Sequence, residues 1–295
     1  MTIRHLRIFI AVDETGKMGL AAKQLFIAQP TVSQVIADIE ESYGVQLFVR
    51  LSKNLYITDA GRQLLSYARH IVSLFDEMEC SLRNASAQVR LKLGATITVG
   101  ACVLTQAVRR FEASYPPAQV QVFVDNTQVI EQMLLRSQLD LALAEGTITH
   151  PDLVVRPVIQ DELVLVCGAG HPFAERASLT AADLQGQAFV LREEGSGTRA
   201  MLEEYLKENG VTIDPKWVCH SADSILNAVA DGQGLTLISR LLAGPLVRQG
   251  RLHQLPLQGA ALGRTFNLVY HKNKYLSDPL RHLMETIAGS DHLGS

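Results

Sequence analysis

Residues 18 to 37 read MGLAAKQLFIAQPTVSQVIA. Ala21, Ala22 and Leu25 recur on one face of a short first helix, Ile27 falls in a tight connection, and Val32 and Val35 form the inner face of a second helix. Small side chains at Ala21 and Ala22 let two helices cross closely, which a joint of only a few residues requires. The second helix opens on Gln29-Pro30-Thr31, with proline in a first turn, where its missing N–H leaves no bond unmade. Its outward face carries Gln29, Pro30, Thr31, Ser33 and Gln34, short groups suited to base edges and phosphates. An ordinary pair of amphipathic helices has the same spacing, so the neighbouring sequence has to decide.

Gly44 closes the second helix, and two short apolar runs, Val49-Arg50-Leu51 and Leu55-Tyr56-Ile57, flank the polar tip Ser52-Lys53-Asn54. This pattern predicts a β-hairpin wing with Arg50 and Lys53 placed on a phosphate backbone. Leu6, Phe9, Ala21, Ala22, Leu25, Gln29-Pro30, Val32-Ser33, Ile36, Ile39-Glu40, Gly44-Val45, Leu47-Phe48, Arg50 and Thr58-Asp59-Ala60-Gly61 occur in order. In these positions the chain resembles the LysR-type transcriptional regulators, and the resemblance spans nearly all of it. It implies an all-α winged helix-turn-helix domain (residues 1–58), a long linker helix (59–88), and a two-lobed α/β effector domain similar to periplasmic binding proteins (90–290).

Composition limits the alternatives. The 295 residues are 47% hydrophobic and carry a net charge of -3, so there is room for several cores but no overall basic field. In the first 60 residues, Arg4, Arg7, Lys17, Lys23, Arg50 and Lys53 are matched by Asp13, Glu14, Asp38, Glu40, Glu41 and Asp59. Attraction to DNA must therefore come from where the charges stand. No stretch approaches the roughly 20 apolar residues of a membrane span, and no signal-peptide pattern opens the chain, so a cytoplasmic protein is expected. Cys80, Cys102, Cys167 and Cys219 form no CxxC pair, which predicts buried thiols rather than a zinc site; a cysteine-based redox switch is the alternative.

From Asp59 to about Ser86 there is no proline and a single glycine. Gly61, Leu64, Ala68, Ile71, Phe75, Met78 and Leu82 recur at steps of three and four, widened by Leu65 and Val72. A helix of this extent runs on the order of 40 Å and predicts a dimerising seam. The resemblance implies that the paired helices space two reading heads along a pseudo-palindromic site in double-stranded DNA. It also implies contact with RNA polymerase and assembly as dimers or tetramers.

Beyond Arg90, short apolar runs alternate with helical patterns, which argues for largely parallel sheets. Strands are predicted at 91–95, 120–124, 139–144, 163–167, 188–191, 216–219, 235–238 and 265–270. Given the resemblance, lobe one covers 90–160 plus 265–290, lobe two covers 163–262, and the crossings fall near 160–162 and 260–263. Two features point to a small anionic effector between the lobes. Thr96 and Thr98 lie just past the opening strand, and Glu194-Gly195-Ser196-Gly197-Thr198-Arg199 joins a strand to a helix. Gly195 and Gly197 allow close approach, while the Ser196 and Thr198 hydroxyls, the helix dipole and Arg199 favour an anion. Asn126, Thr127 and Ser221 are further candidates, with plain helix caps as their alternative, and Arg199 has Glu193 or Glu203 as surface partners.

Gly195 to Ala200 also fits GxGxxA, but it lies in a lobe too small for a complete dinucleotide domain. No catalytic constellation, metal site or cofactor motif stands out, so no enzyme is expected. A solute-binding transport protein would share the lobes but not the amino-terminal 88 residues.

Overall fold

The computed structural model describes residues 1–51, 54–83, 89–260 and 262–289. Lys53, the expected wing contact, lies outside the described residues, as does the side chain of Cys80. Contacts divide the chain into a first unit, Met1–Ala87 with Asn273–Tyr275, and a second, Gln88–Lys272 with Leu276–Ser295.

The first unit contains α1 (Ile3–Thr15), α2 (Met18–Gln24), α3 (Gln29–Tyr43), β1 (Phe48–Leu51), β2 (Asn54–Ile57) and α4 (Asp59–Arg83). Thr2 caps α1 by accepting the His5 N–H, and Gly16 ends it at φ 64. The Gly16 carbonyl then takes the Leu55 N–H at 3.1 Å, which ties the hairpin to α1. Pro30 stands in the first turn of α3, and Gly44 closes that helix at φ 65. Ala21, Phe9, Val12, Val32 and Ile36 are buried together, with Phe9 and Phe48 tilted at 5.4 Å between centroids. Full burial of each large side chain contributes ~1.5–3 kcal/mol.

The long helix divides its apolar stripe. Gly61, Leu65 and Ala68 are buried, and a Cβ on Gly61 would stand 2.3 Å from the Leu47 carbonyl oxygen. This corrects the single seam read from the sequence. Its amino-terminal half packs on the head of its own chain, because the compact wing lets the helix backbone come close at a glycine. Ile71, Leu74, Met78 and Leu82 remain exposed, at 41, 40, 46 and 76%. Arg69 to Asp13 at 3.1 Å and the Arg7–Asp76 pair fix the helix against α1.

The second unit runs β3 (Val89–Thr96), α5 (Ile97–Val99), a π-helical turn (Gly100–Leu104), α6 (Thr105–Ser114), β4 (Ala118–Asp125), α7 (Thr127–Leu135), β5 (Leu141–Ala144) and β6 (Leu153–Gly168). It continues with β7 (Ala188–Arg192), α8 (Gly197–Glu208), β8 (Asp214–Cys219), α9 (Ala222–Ala230), β9 (Thr236–Ser239), α10 (Arg240–Arg248), β10 (Leu252–Leu255), β11 (Gly263–His271) and α11 (Asp278–Ala288). It is a two-lobed α/β domain. In lobe one β3 pairs in parallel with β4 and β5, around a core that includes Leu93, Phe111, Leu141, Phe266 and Leu283. In lobe two β7 and β8 are parallel, a bridge joins Phe189 to Leu235 beside β9, and Leu165, Leu191, Leu202 and Leu237 pack together. β5 reads Leu-Ala-Leu-Ala with all four residues buried, as expected of a strand covered on both faces.

The sheets are mixed rather than largely parallel, and the crossings explain why. β6 spans 16 residues without a break. Its first part pairs with β11, from Leu153 opposite His271 to Glu162 opposite Gly263, and its second part pairs with β9 and β10. One strand carries the chain out of lobe one and the other carries it back, so they run antiparallel. The crossing expected at 160–162 therefore lies inside a strand. Pro157 and the polar run Gln160-Asp161-Glu162 interrupt the apolar pattern and hid the first part of β6.

Candidate functional site

On the head, the buried face of α3 is Val32, Val35, Ile36 and Ile39, which turns Gln29, Pro30 and Gln34 to the surface and leaves Thr31 and Ser33 half-buried. Arg50 is exposed on β1. The Ser33 hydroxyl donates to Met18 Sδ at 3.1 Å, and Gln34 Nε2 donates to Asp38 Oδ1 at 2.7 Å. Gln29, Ser33 and Arg50 line one surface groove, and Lys17 and Lys23, which the sequence reading did not single out, line it as well. Two of the acids are engaged within the head, while Asp38 stays on α3 beside Gln34. Asp13 meets Arg69, and Glu40 accepts the Leu47 and Phe48 N–H groups at 2.7 and 3.3 Å. A head of balanced charge thus sets Lys17, Lys23 and Arg50 along one groove, with Glu40 in the same lining.

In the second unit the lobes touch through a buried polar network. Thr96, Thr98, Thr127, Ser196 and Thr198 each stay below 9% exposure, together with Glu145, Asp161, Arg192, Glu193 and Arg264. Arg264 donates from Nε to Asp161 Oδ2 at 2.7 Å and from Nη1 to Thr198 Oγ1 at 2.9 Å, and it reaches Thr98 Oγ1 at 3.5 Å. The Ser239 hydroxyl fills the other Asp161 oxygen at 2.7 Å. Arg192 and Glu193 form a two-bond pair with both distances 2.9 Å. Thr127 Oγ1 donates to the Glu145 carbonyl at 3.0 Å and accepts the Gly197 N–H at 3.3 Å, a link from lobe one to lobe two.

Glu145 is the third carboxyl of this network. Its oxygens meet the Thr96 and Thr98 hydroxyls, and both guanidiniums already have carboxylate partners. Burial pushes its carboxyl above the usual range, opposed by Arg264, by the Thr98 hydrogen bond and by Arg192. Ser196, the N-cap of α8, accepts no N–H of that helix at its side chain, and its Oγ is buried with no partner among the described residues.

The expected effector residues thus separate. Thr96, Thr98, Thr127, Gly195, Ser196, Gly197 and Thr198 come together between the lobes. Asn126 caps α7 by accepting the Val129 N–H, and its Nδ2 also reaches the Glu194 carbonyl at 3.4 Å. Ser221 is exposed and caps α9. Arg199 turns to Glu203 at 2.7 Å, whereas Glu193 belongs to Arg192. Glu145, Asp161, Arg192 and Arg264 were missed; the available signal was charge adjoining all-apolar strands, as in Leu-Ala-Leu-Ala-Glu145. Among the described residues there is no cluster able to hold a metal ion and no helix long and apolar enough to cross a membrane.

Two family models match the chain: "Bacterial regulatory helix-turn-helix protein, lysR family" over residues 3–62 and "LysR substrate binding domain" over 84–290. The HTH-type transcriptional activator CmpR of Synechocystis sp. is 27% identical, over 94% of this chain and 91% of its own. A full-length OxyR variant from Pseudomonas aeruginosa superposes with a TM-score of 0.68 at 20% identity, covering 100% of this chain and 96% of that one. The Synechocystis CcmR regulatory domain in complex with 2-PG gives 0.64 at 23% identity, covering 70% and 98%. The chain belongs to the LysR family and is a DNA-binding transcriptional regulator with an effector-binding domain.

Proposed function

We propose that this regulator responds to a small anionic metabolite held between its lobes at Ser196 and the first turn of α8. The observation that carries this reading is the Ser196 hydroxyl, on a residue 3% exposed, without a partner among the described residues. A buried hydroxyl left unpaired costs ~1–3 kcal/mol, and a ligand oxygen would recover it. The helix N-terminus beside it favours negative charge. The Thr96 and Thr98 hydroxyls are engaged by Glu145, so the anion's place is on the α8 side. The likeness to a regulatory domain solved with 2-PG supports a small ligand in this fold.

On DNA, Gln29, Pro30, Thr31, Ser33 and Gln34 enter the major groove, with Arg50 and Lys53 on the backbone. The exposed Ile71, Leu74, Met78 and Leu82 of α4 pair with a second copy and set two heads on a pseudo-palindromic operator. Effector binding reshapes the lobe junction and alters head spacing and contact with RNA polymerase. The chain acts in the cytoplasm without catalysis.

Thiol sensing has less support. Burial raises Cys102 and Cys167 to about 11, and it raises Cys219 as well, so these thiols stay protonated and weakly nucleophilic at neutral pH. The test is a thermal-shift screen of small carboxylates, phosphates and sulfur oxyanions on wild type and Ser196→Ala. A hit raises the wild-type Tm and loses most of that rise in the variant, whose ligand-free Tm equals or exceeds wild type. A hit that stabilises both proteins equally contradicts the reading.

A further inference from the structure

We infer that Asp38 is a positioning residue that sets Gln34 to read adenine in preference to guanine. The inference rests on Gln34 facing bases, as proposed above. Gln34 is exposed, Asp38 lies one turn further along α3, and Nε2 donates to Asp38 Oδ1 at 2.7 Å. An ionised carboxylate accepts hydrogen bonds and cannot donate, so the nitrogen end of the amide must face Asp38. Repulsion between oxygens directs the carboxylate to the N–H that points away from the amide carbonyl. The Gln34 Oε1 and its adjacent N–H are left side by side at the surface. That acceptor–donor edge complements N6–H and N7 of adenine, whereas guanine offers O6 and N7, two acceptors. Cytosine would satisfy the carbonyl alone. Asp38 thereby specifies a base without touching it, and it also places a negative charge beside the DNA, a cost in affinity for every sequence.

Selection of binding sites from a random duplex library by full-length wild type, Gln34→Ala and Asp38→Ala tests the inference. The position read by Gln34 is the one whose preference disappears in Gln34→Ala. Wild type is expected to favour adenine over guanine there by about 5- to 150-fold. Asp38→Ala should bring that ratio to within about threefold of unity. Its affinity for random duplex should be higher, most so at low salt, and its melting temperature close to wild type. An unaltered adenine preference in Asp38→Ala, or guanine preferred by wild type at that position, overturns the role of Asp38. If Gln34→Ala leaves every position of the selected site unchanged, the base-reading role of Gln34 falls first and takes the inference with it.

Discussion

Arg264 and Asp161 face each other across β11 and β6, the two strands that pass between the lobes, and their side chains form a buried ion pair at 2.7 Å. The guanidinium also reaches Thr198 in lobe two and Thr98 in lobe one. Removing one partner leaves the other charge buried and unpaired, at a cost of ~3–5 kcal/mol, whereas replacing both with apolar groups of similar volume is nearly neutral. Arg264→Met should therefore lower the urea-unfolding free energy by ~3–5 kcal/mol, and Arg264→Met with Asp161→Leu should recover much of the loss. Equal losses in the single and double variants would show that the pair is not a unit.

Glu145 adds a pH dependence. Its folded pKa lies above that of the unfolded chain, chiefly through burial, so folding favours the protonated form. The stabilisation is complete below the unfolded carboxylate pKa and is lost as pH rises through the folded value. Glu145→Gln, which cannot ionise, should be more stable than wild type near pH 8, and the gap should close towards about pH 4. Urea midpoints across that range check this. A gap of constant size would assign the effect to packing instead.

At Gly197 the backbones of the two lobes come close together. A Cβ there would sit 2.8 Å from Gly146 Cα and 3.2 Å from Thr127 Oγ1. Gly197→Ala should push the lobes apart at a cost of ~1–3 kcal/mol. Hydrogen exchange at residue 197 should accelerate, because its N–H is held by Thr127. Unaltered exchange there would mean that the junction absorbs a methyl group without opening.

Phe26 is 95% exposed and has φ 55, a left-handed conformation in the turn between α2 and α3. A bulky residue is strained there, and asparagine tolerates it. Phe26→Asn should raise stability by ~0.5–1 kcal/mol, read from thermal melts. A lower Tm would show that the ring has an unrecognised packing role.

The head was legible in the sequence because its signals are local. Ala21 and Ala22, Pro30 in a first turn and Gly44 after the last turn each act within one or two turns of chain. The lobe junction was only half legible. Thr96, Ser196 and Thr198 stand out as strand-end and loop residues, but Arg264 meets Asp161 across 103 residues, and Glu145 meets the Thr96 and Thr98 hydroxyls across 49 and 47, pairings that periodicity does not encode. α10 was also hidden, since Gly244 and Pro245 lie inside it and break the helical pattern. The α4 stripe was found but read as one seam, because spacing shows which residues share a face and not which partner covers each part.

The central claim is that the polar face of α3 reads base edges. Competition binding of the full chain to its selected duplex and to a scrambled duplex, at one salt concentration, measures it for wild type and Gln29→Ala. Wild type should prefer the selected duplex by roughly 10³-fold or more. Gln29→Ala should lose about tenfold of that preference while binding the scrambled duplex nearly as before. A variant that keeps the wild-type ratio would contradict the account.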